Sequence, residues 1–405
     1  MAQTGRHPAP AARHLALLNY SGDYREAYLR LSAGGPETYF AQRYSVEAVA
    51  RQLQAFETVA SIICRSHDIH DETLPNGVRS IGLGLSEPMR SRDIIRAIRK
   101  VRPTHLVLGH LKPALLLWAV WYGVPVCVIS PTSIARGTGL KARLRAGLTA
   151  LLLNSGRVRW VAAYGRAAAR SFQEIGVDPA KIVPWDFLIR TGAPDHPPLR
   201  LRQGKPWRLV YVGQMIASKG IPDAIRAIRL LREQGHDSDL TLVGLDAEGA
   251  MARVVAAEGM AGHVHFAGAV GNADLEPFIR RFDAIIVPSR PDYPEGFPLV
   301  LAHAMRARLP IVASDHPMFT ETLRNGENAM IFPAGDHGAL AGAVRRLLED
   351  DALYAHLSDG SLEVLDGLRL PVRYDDVLRN AFEEAGPGRD FMSAQSLAAT
   401  RRPAS

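Results

Sequence analysis

The chain has 405 residues, is 47% hydrophobic and 22% charged, and carries a formal net charge of +7. That length is too great for one ordinary domain and implies two of roughly 150–200 residues each, in a chain of ordinary globular composition. Two cysteines, Cys64 and Cys127, each lie in an apolar run, which excludes a disulfide framework and fits buried thiols in a reducing cytosol.

No apolar run reaches the ~18–20 residues of a spanning helix, and Leu15 to Leu18 is too short for the core of a secretory signal. The expected location is cytoplasmic. Charge is unevenly placed: residues 1–200 carry a net +12 and residues 201–405 a net −5. Between Asp93 and Glu174 no carboxylate occurs, while 13 Lys and Arg do. Such asymmetry fits an anionic surface or partner for the first half, or simply a basic solvated face.

In chain order, residues 1–12 read as a Pro/Ala-rich disordered tail. His14 to Asn19 is a first strand. The loop Ser32-Ala33-Gly34-Gly35-Pro36 leads to a helix through about Val59. Strand runs follow at Ala60–Cys64, Val78–Ile81, Leu106–Leu108, Val126–Ile129 and Trp160–Ala162, with helices such as Ser91–Arg99 and Pro113–Trp121 between them. This alternation predicts a mostly parallel, doubly wound sheet over residues 13–190.

The segment 191–206, with four prolines and two glycines, reads as a linker. Alternation then restarts over 207–372. Strands are expected at Arg208–Gly213, Leu240–Gly244, Val264–Gly268, around Ile285 and around Ile311, with a helix from Pro222 to Gln234. Tyr374 to Glu384, within 373–385, reads as a closing helix that crosses back to the first domain. Residues 386–405 read as a second disordered tail.

Several segments have the composition that chemistry requires. The strand Ala284 to Val287 is followed by a Pro/Ser/Gly-rich loop and a helix that Pro298 suits at its first position. Glu295 therefore sits where a strand's C-terminal end meets a helix N-terminus. Ligands bind there in open α/β sheets, and phosphates favour such helix starts. A plain capping role fits the same placement. The strand Arg208 to Gly213 opens into Gln214-Met215-Ile216-Ala217-Ser218-Lys219-Gly220, where Lys219 is either a phosphate cation or a solvated loop lysine. Gly34-Gly35 lets backbone approach a phosphate. His110 follows the strand Leu106–Leu108, again at a C-terminal strand end, as a site residue or a structural one. Between Arg136 and Arg159, leucines 140, 144, 148, 151 and 152 recur at helical spacing, flanked by Lys141, Arg143, Arg145, Arg157 and Arg159. That pattern fits either a membrane-surface helix or a core-facing helix with a charged outer side. No aromatic-interleaved basic motif points to nucleic acid.

The run Glu295-Gly296-Phe297-Pro298-Leu299-Val300, preceded by Pro288-Ser289, resembles a motif of the retaining glycosyltransferases of sequence family four. The resemblance implies a GT-B fold, two doubly wound Rossmann-like α/β domains facing across a cleft, and transfer from a nucleotide-diphosphate sugar to a glycan or lipid-linked acceptor without a bound metal or cofactor. It implies that Glu295 acts on the transferred sugar together with Gly296 and Phe297. Leu299 and Val300 would offer backbone N–H groups to the diphosphate, and Gly34, Gly35, Gln214 and Lys219 would complete its grip. His110 would stand beside the reacting sugar.

The chain departs from the family pattern at three points. The second Glu of the motif, expected to hold the ribose, is His303. The usual Arg is Gln214, which lacks the charge and fork of a guanidinium. The usual helix-ending Gly is Arg308. Two other readings fit the same pattern: a non-catalytic member that binds sugar or nucleotide, and an epimerase or phosphorylase on the same fold.

Overall fold

The computed structural model describes residues 12–134, 139–187, 196–204, 206–246, 248–293, 295 and 299–400. Its first domain runs through β1 (His14–Asn19), α1 (Tyr24–Ser32), α2 (Gln42–Arg51), β2 (Thr58–Ile63), β3 (His70–Thr73), β4 (Arg79–Gly82) and α3 (Ser91–Val101). It continues through β5 (His105–Leu108), α4 (Pro113–Trp121), β6 (Val126–Ser130), α5 (Leu140–Leu153), β7 (Val158–Tyr164), α6 (Gly165–Glu174) and β8 (Ile182–Trp185). The eight strands form one sheet in the order β3-β4-β2-β1-β5-β6-β7-β8, parallel except for β3 against β4. The buried run of β6, Val126 to Ser130, shows why these segments choose strand: apolar side chains fill both faces of a parallel sheet covered by helices.

The second domain contains β9 (Trp207–Val212), α7 (Ile221–Glu233), β10 (Ser238–Val243), α8 (Ala250–Ala257), β11 (Val264–Gly268), α9 (Asn272–Ile279) and β12 (Ala284–Val287). Then come α10 (Leu299–Arg306), β13 (Ile311–Ser314), α11 (Pro317–Thr320), β14 (Met330–Phe332), α12 (His337–Glu349) and α13 (Asp351–Leu368). Its six strands are parallel in the order β11-β10-β9-β12-β13-β14. Strand order reverses direction between β1 and β5 in the first sheet and between β9 and β12 in the second. Those two reversals open the crevices where open α/β sheets take their ligands.

The chain ends in α14 (Tyr374–Asn380) and α15 (Pro387–Ala394). Val372, Val377, Leu378, Ala381 and Met392 belong to the same buried cluster as Leu15, Leu17 and Trp160 of the first domain, so the terminus crosses back. Buried Asp186 anchors this return: it accepts from the Leu370 N–H at 2.6 Å and pairs with Arg373.

Several sequence expectations differ from the structure. The tail expected from Gly386 is instead ordered as α15 and a following turn, with Met392 fully buried and the Leu397 N–H bonded to the Ile182 carbonyl at 2.9 Å. Its Gly and Ser content concealed the two apolar side chains that hold it. Residues 1–11 and 401–405, and residues 191–195 and 205 of the proposed linker, lie outside the described residues.

The long helix expected up to Val59 ends at Arg51, and β2 begins at Thr58. Helix α1, not foreseen, starts at Asp23, whose carboxylate accepts from the N–H groups of Arg25 and Glu26 at 2.9 and 3.2 Å. Edge strand β3 is polar and mostly exposed, so it carries no period-two signal.

Candidate active site

Lys219 and Glu295 come together at the second sheet's reversal. Lys219 closes the short 3-10 turn Ala217–Lys219 after β9, and Glu295 stands in the loop after β12. Gly220 makes the approach possible. Its φ is +73°, and a Cβ there would lie 1.9 Å from the Pro288 carbonyl oxygen. Only a residue without a side chain lets these two loops touch.

Arg290 ties the loops further, donating to buried Asp223 at 2.9 and 2.7 Å through Nε and Nη2. The Arg290 N–H also bonds to the Ser218 carbonyl at 3.0 Å. In the resulting pocket Lys219 Nζ donates to Glu295 Oε1 at 2.6 Å, and the buried Ser289 hydroxyl donates to the same oxygen at 2.6 Å. Lys219 Nζ also stands 4.1 Å from the centre of the Tyr293 ring, a cation–π contact.

His316 fixes the other side of this loop. Its Nδ1 accepts from the Met318 N–H at 3.1 Å, so Nε2 carries the proton donated to the Tyr293 carbonyl at 3.1 Å. Burial lowers its pKa, which keeps the ring neutral. Sequence reading passed over His316 because Asp315-His316-Pro317 has the composition of an ordinary turn.

Leu299 and Val300 form the first turn of α10, where N–H groups lack a preceding helical carbonyl and the helix's positive end gathers. Both side chains are half-buried. Gln214 is exposed, and its carbonyl accepts from the buried Tyr211 hydroxyl at 2.8 Å. Gly296 and Phe297 lie outside the described residues.

On the first domain, Tyr20 and His110 follow β1 and β5, the two strands of that sheet's reversal, with ring centres 5.0 Å apart. His110 Nε2 is buried with no hydrogen-bond partner. Burial lowers its pKa; the nearby Lys112 adds to the effect and Glu87 opposes it. The ring is therefore neutral near pH 7. The two domains meet around the site: the Ser133 N–H bonds to the Glu295 carbonyl at 3.1 Å, and the Phe40 ring meets His303 edge-on at 5.7 Å.

Two expected site residues are placed differently. Gly34 and Gly35 close α1 rather than open a helix. The Gly34 N–H bonds to the Leu31 carbonyl at 3.2 Å and the Gly35 N–H to the Arg30 carbonyl at 2.9 Å. A helix C-terminus holds both donors, and its negative end disfavours a phosphate. The sequence Ser32 to Pro36 fits a helix end as well as a helix start, so composition alone could not separate them.

His303 is buried in α10 with Nδ1 3.3 Å from Glu276 Oε1, and Arg306 Nε donates to the same oxygen at 2.7 Å. Arg308 keeps the left-handed geometry of the missing glycine, with φ of 56°. Among the described residues, no group of three or more His, Cys, Asp or Glu is arranged to hold a metal ion.

Part of the second domain is similar to a known protein family. Residues 206–350 match the family model of the glycosyl transferases group 1. Over this segment the chain is similar to the glycosyl transferases group 1.

Over 160 residues, 38% of this chain, the protein is 29% identical to the amylovoran biosynthesis glycosyltransferase AmsK of Erwinia amylovora, whose length is covered to 39%. It is 36% identical over 135 residues to the phosphatidyl-myo-inositol mannosyltransferase of Mycobacterium leprae, covering 33% of this chain and 35% of the relative. The matches thus span well under half the length of these relatives.

The whole fold is similar to solved structures. Sucrose-phosphate synthase of Thermosynechococcus elongatus superposes with a TM-score of 0.62 at 17% identity, over 91% of this chain and 97% of that one. HepE of Anabaena in complex with UDP gives 0.59 at 13% identity, over 88% and 95%. At such identities the likeness establishes the architecture, which is GT-B. The matched segment 206–350 lies in its second half, and Lys219 and Glu295 both fall within it.

Proposed function

We propose that this protein is a retaining glycosyltransferase that moves a sugar from a nucleotide-diphosphate donor to an acceptor hydroxyl, in the synthesis of a polysaccharide or a glycolipid. The observation that carries this reading is the Lys219–Glu295 pair held at the β9/β12 reversal beside the start of α10. Lys219 and the first N–H groups of α10 meet the diphosphate. They stabilise the charge that builds on it as the bond from the sugar's anomeric carbon to the phosphate oxygen breaks. The acceptor oxygen then bonds to that carbon from the face the phosphate has vacated, and the acceptor proton passes to the departing phosphate oxygen. Glu295 offsets positive charge on the sugar ring. Neutral His110 offers Nε2 to a sugar hydroxyl, which explains a buried ring nitrogen with no protein partner. Lys219 and the backbone donors supply what a metal would, so the reaction is proposed to need none.

The acceptor side is proposed to work at a membrane. Helix α5 exposes Leu140, Leu144, Leu148 and Leu151 at 75, 65, 49 and 69% along one stripe, with Lys141, Arg143 and Arg145 exposed beside them. Its core side is Thr149, Ala150, Leu152 and Leu153. Neighbouring α4 adds exposed Leu117 and Trp121, with Tyr122 just beyond its end. Arg159 is committed elsewhere, pairing with Glu384, and Arg136 lies outside the described residues. Among the described residues, no helix is long and apolar enough to cross a membrane. An apolar stripe with a basic margin suits peripheral contact with an anionic leaflet on the cytoplasmic side.

A thermal-shift screen of UDP, GDP, ADP and dTDP with their sugar conjugates tests the donor reading. One nucleotide series should raise the melting temperature in a saturable way. No shift with any of them would overturn the reading and leave a fold without donor binding.

A further inference from the structure

Asn272 and Glu276 of α9 each carry an acceptor oxygen that no donor reaches among the described residues. Asn272 Oδ1 is buried and has no hydrogen-bond partner. Glu276 follows four residues later, so the two share a face. The Glu276 carboxylate is 14% exposed, and only one of its oxygens is occupied: Oε1 takes both His303 Nδ1 and Arg306 Nε. Among the described residues no hydrogen bond reaches Oε2. Burial by itself would raise this carboxyl's pKa, but the bonds from His303 and Arg306 outweigh it and hold the group below its ordinary value. The carboxylate is thus ionised, oriented and short of a donor.

Placement says which donor fits. Helix α9 begins at the C-terminal end of β11, beyond β10 on the flank of β9 away from β12, and it packs against α10. Lys219, Glu295 and the start of α10 take the sugar and diphosphate at the reversal itself, so α9 is left to the nucleoside. A nucleoside's donors include the paired vicinal hydroxyls of its ribose, and an acidic side chain is the ordinary partner of such hydroxyls in doubly wound nucleotide sites.

We propose that Glu276, assisted by Asn272, is the ribose-recognition subsite of this protein. His303 stands behind it as a positioning residue that holds the carboxylate and does not itself touch the ribose. This inference rests on the nucleotide-sugar reading above. It relocates a function that the motif spacing had assigned to α10 onto α9. The Phe40 ring from the first domain packs edge-on to His303 and braces this arrangement across the cleft.

The test is calorimetric titration of the whole protein with the nucleoside diphosphate selected by the screen and with its 2′,3′-dideoxy analogue. The unaltered protein should bind the ribose form about 10–100-fold more tightly, the range of a hydrogen bond to a charged group. Glu276→Gln should lose most of that preference while binding the dideoxy form as before. Asn272→Ala, which leaves the Glu276–Arg306 ion pair in place, should lose part of it. His303→Gln should shrink the preference less than Glu276→Gln does. A Glu276→Gln protein that keeps the full preference overturns the assignment, as does His303→Gln abolishing a preference that Glu276→Gln retains. If Glu276→Gln does not fold, an unchanged preference in Asn272→Ala counts against the subsite. An unaltered protein that binds both forms equally rejects the subsite but leaves the function standing. Failure to bind either form rejects the function itself.

Discussion

At the scale of single residues, the site is a matter of which donor meets which acceptor. Glu295 receives both Lys219 and Ser289 on one oxygen. Glu295→Gln keeps the size of the side chain and can still meet Ser289, but removes the charge. Steady-state transfer should fall by roughly 100–1,000-fold, the scale of losing one preorganised electrostatic contact, while nucleoside diphosphate affinity changes little. Unchanged turnover would remove Glu295 from the chemistry. Arg308 carries a different kind of information. It occupies a left-handed position at φ of 56°, where its N–H still bonds to the Met305 carbonyl at 3.1 Å. A residue with a Cβ is strained there by about 1 kcal/mol. Its Nη1 bond to the Asp359 carbonyl, at 2.9 Å on the surface, returns less. Arg308→Gly should therefore raise the midpoint of chemical denaturation; a lower midpoint would show that the guanidinium contact dominates.

At the scale of elements, α5 and β5 make separable predictions. The stripe of α5 is solvent-exposed, so Leu144→Glu with Leu148→Glu should leave the melting temperature nearly unchanged. The pair should abolish co-sedimentation with vesicles containing phosphatidylglycerol. Equal vesicle binding by both proteins would remove the membrane from the reading. His105, at the start of β5, packs against Phe56 and Phe382. Burial, with help from Arg13 and Arg159, lowers its pKa from 6.5 to about 4. The unfolded chain therefore binds this proton first on acidification. The stability contribution is complete above pH 6.5 and is lost as pH falls from there toward about 4. Because the ring is half-exposed, screening limits the effect to about 1 kcal/mol. Denaturation midpoints measured at pH 7 and pH 4.5 should differ less in His105→Gln than in the unaltered protein.

At the scale of the whole molecule, the two domains are joined by more than the linker. The terminal helices lie against the first domain, Arg170 pairs with Glu321 across the cleft at 2.9 Å, and Asp186 clasps the returning segment at Leu370 and Arg373. Deleting everything after Ala385 removes buried Met392 and Leu397 from the first domain. That burial corresponds to about 2–4 kcal/mol, so the truncated protein should melt several degrees lower. An unchanged melting temperature would mean that this terminus is dispensable to the fold.

The amino-acid sequence by itself determined the α/β alternation, the two-domain division and the positions of Lys219, Glu295 and His110 at strand ends. Each of these is a local property: apolar runs choose strands, and the residues that follow them land at the ligand edge. The tertiary structure alone decided which of those residues meet. That Gly34 and Gly35 end a helix depends on hydrogen bonds to Leu31 and Arg30, which composition does not specify. That His303 faces Glu276, 27 residues away, depends on how α9 packs against α10. The order of α15 likewise depends on a surface more than 200 residues earlier in the chain, one that exists only once the first domain has folded. Contacts between distant segments are set by packing, and no local pattern of residue types encodes them.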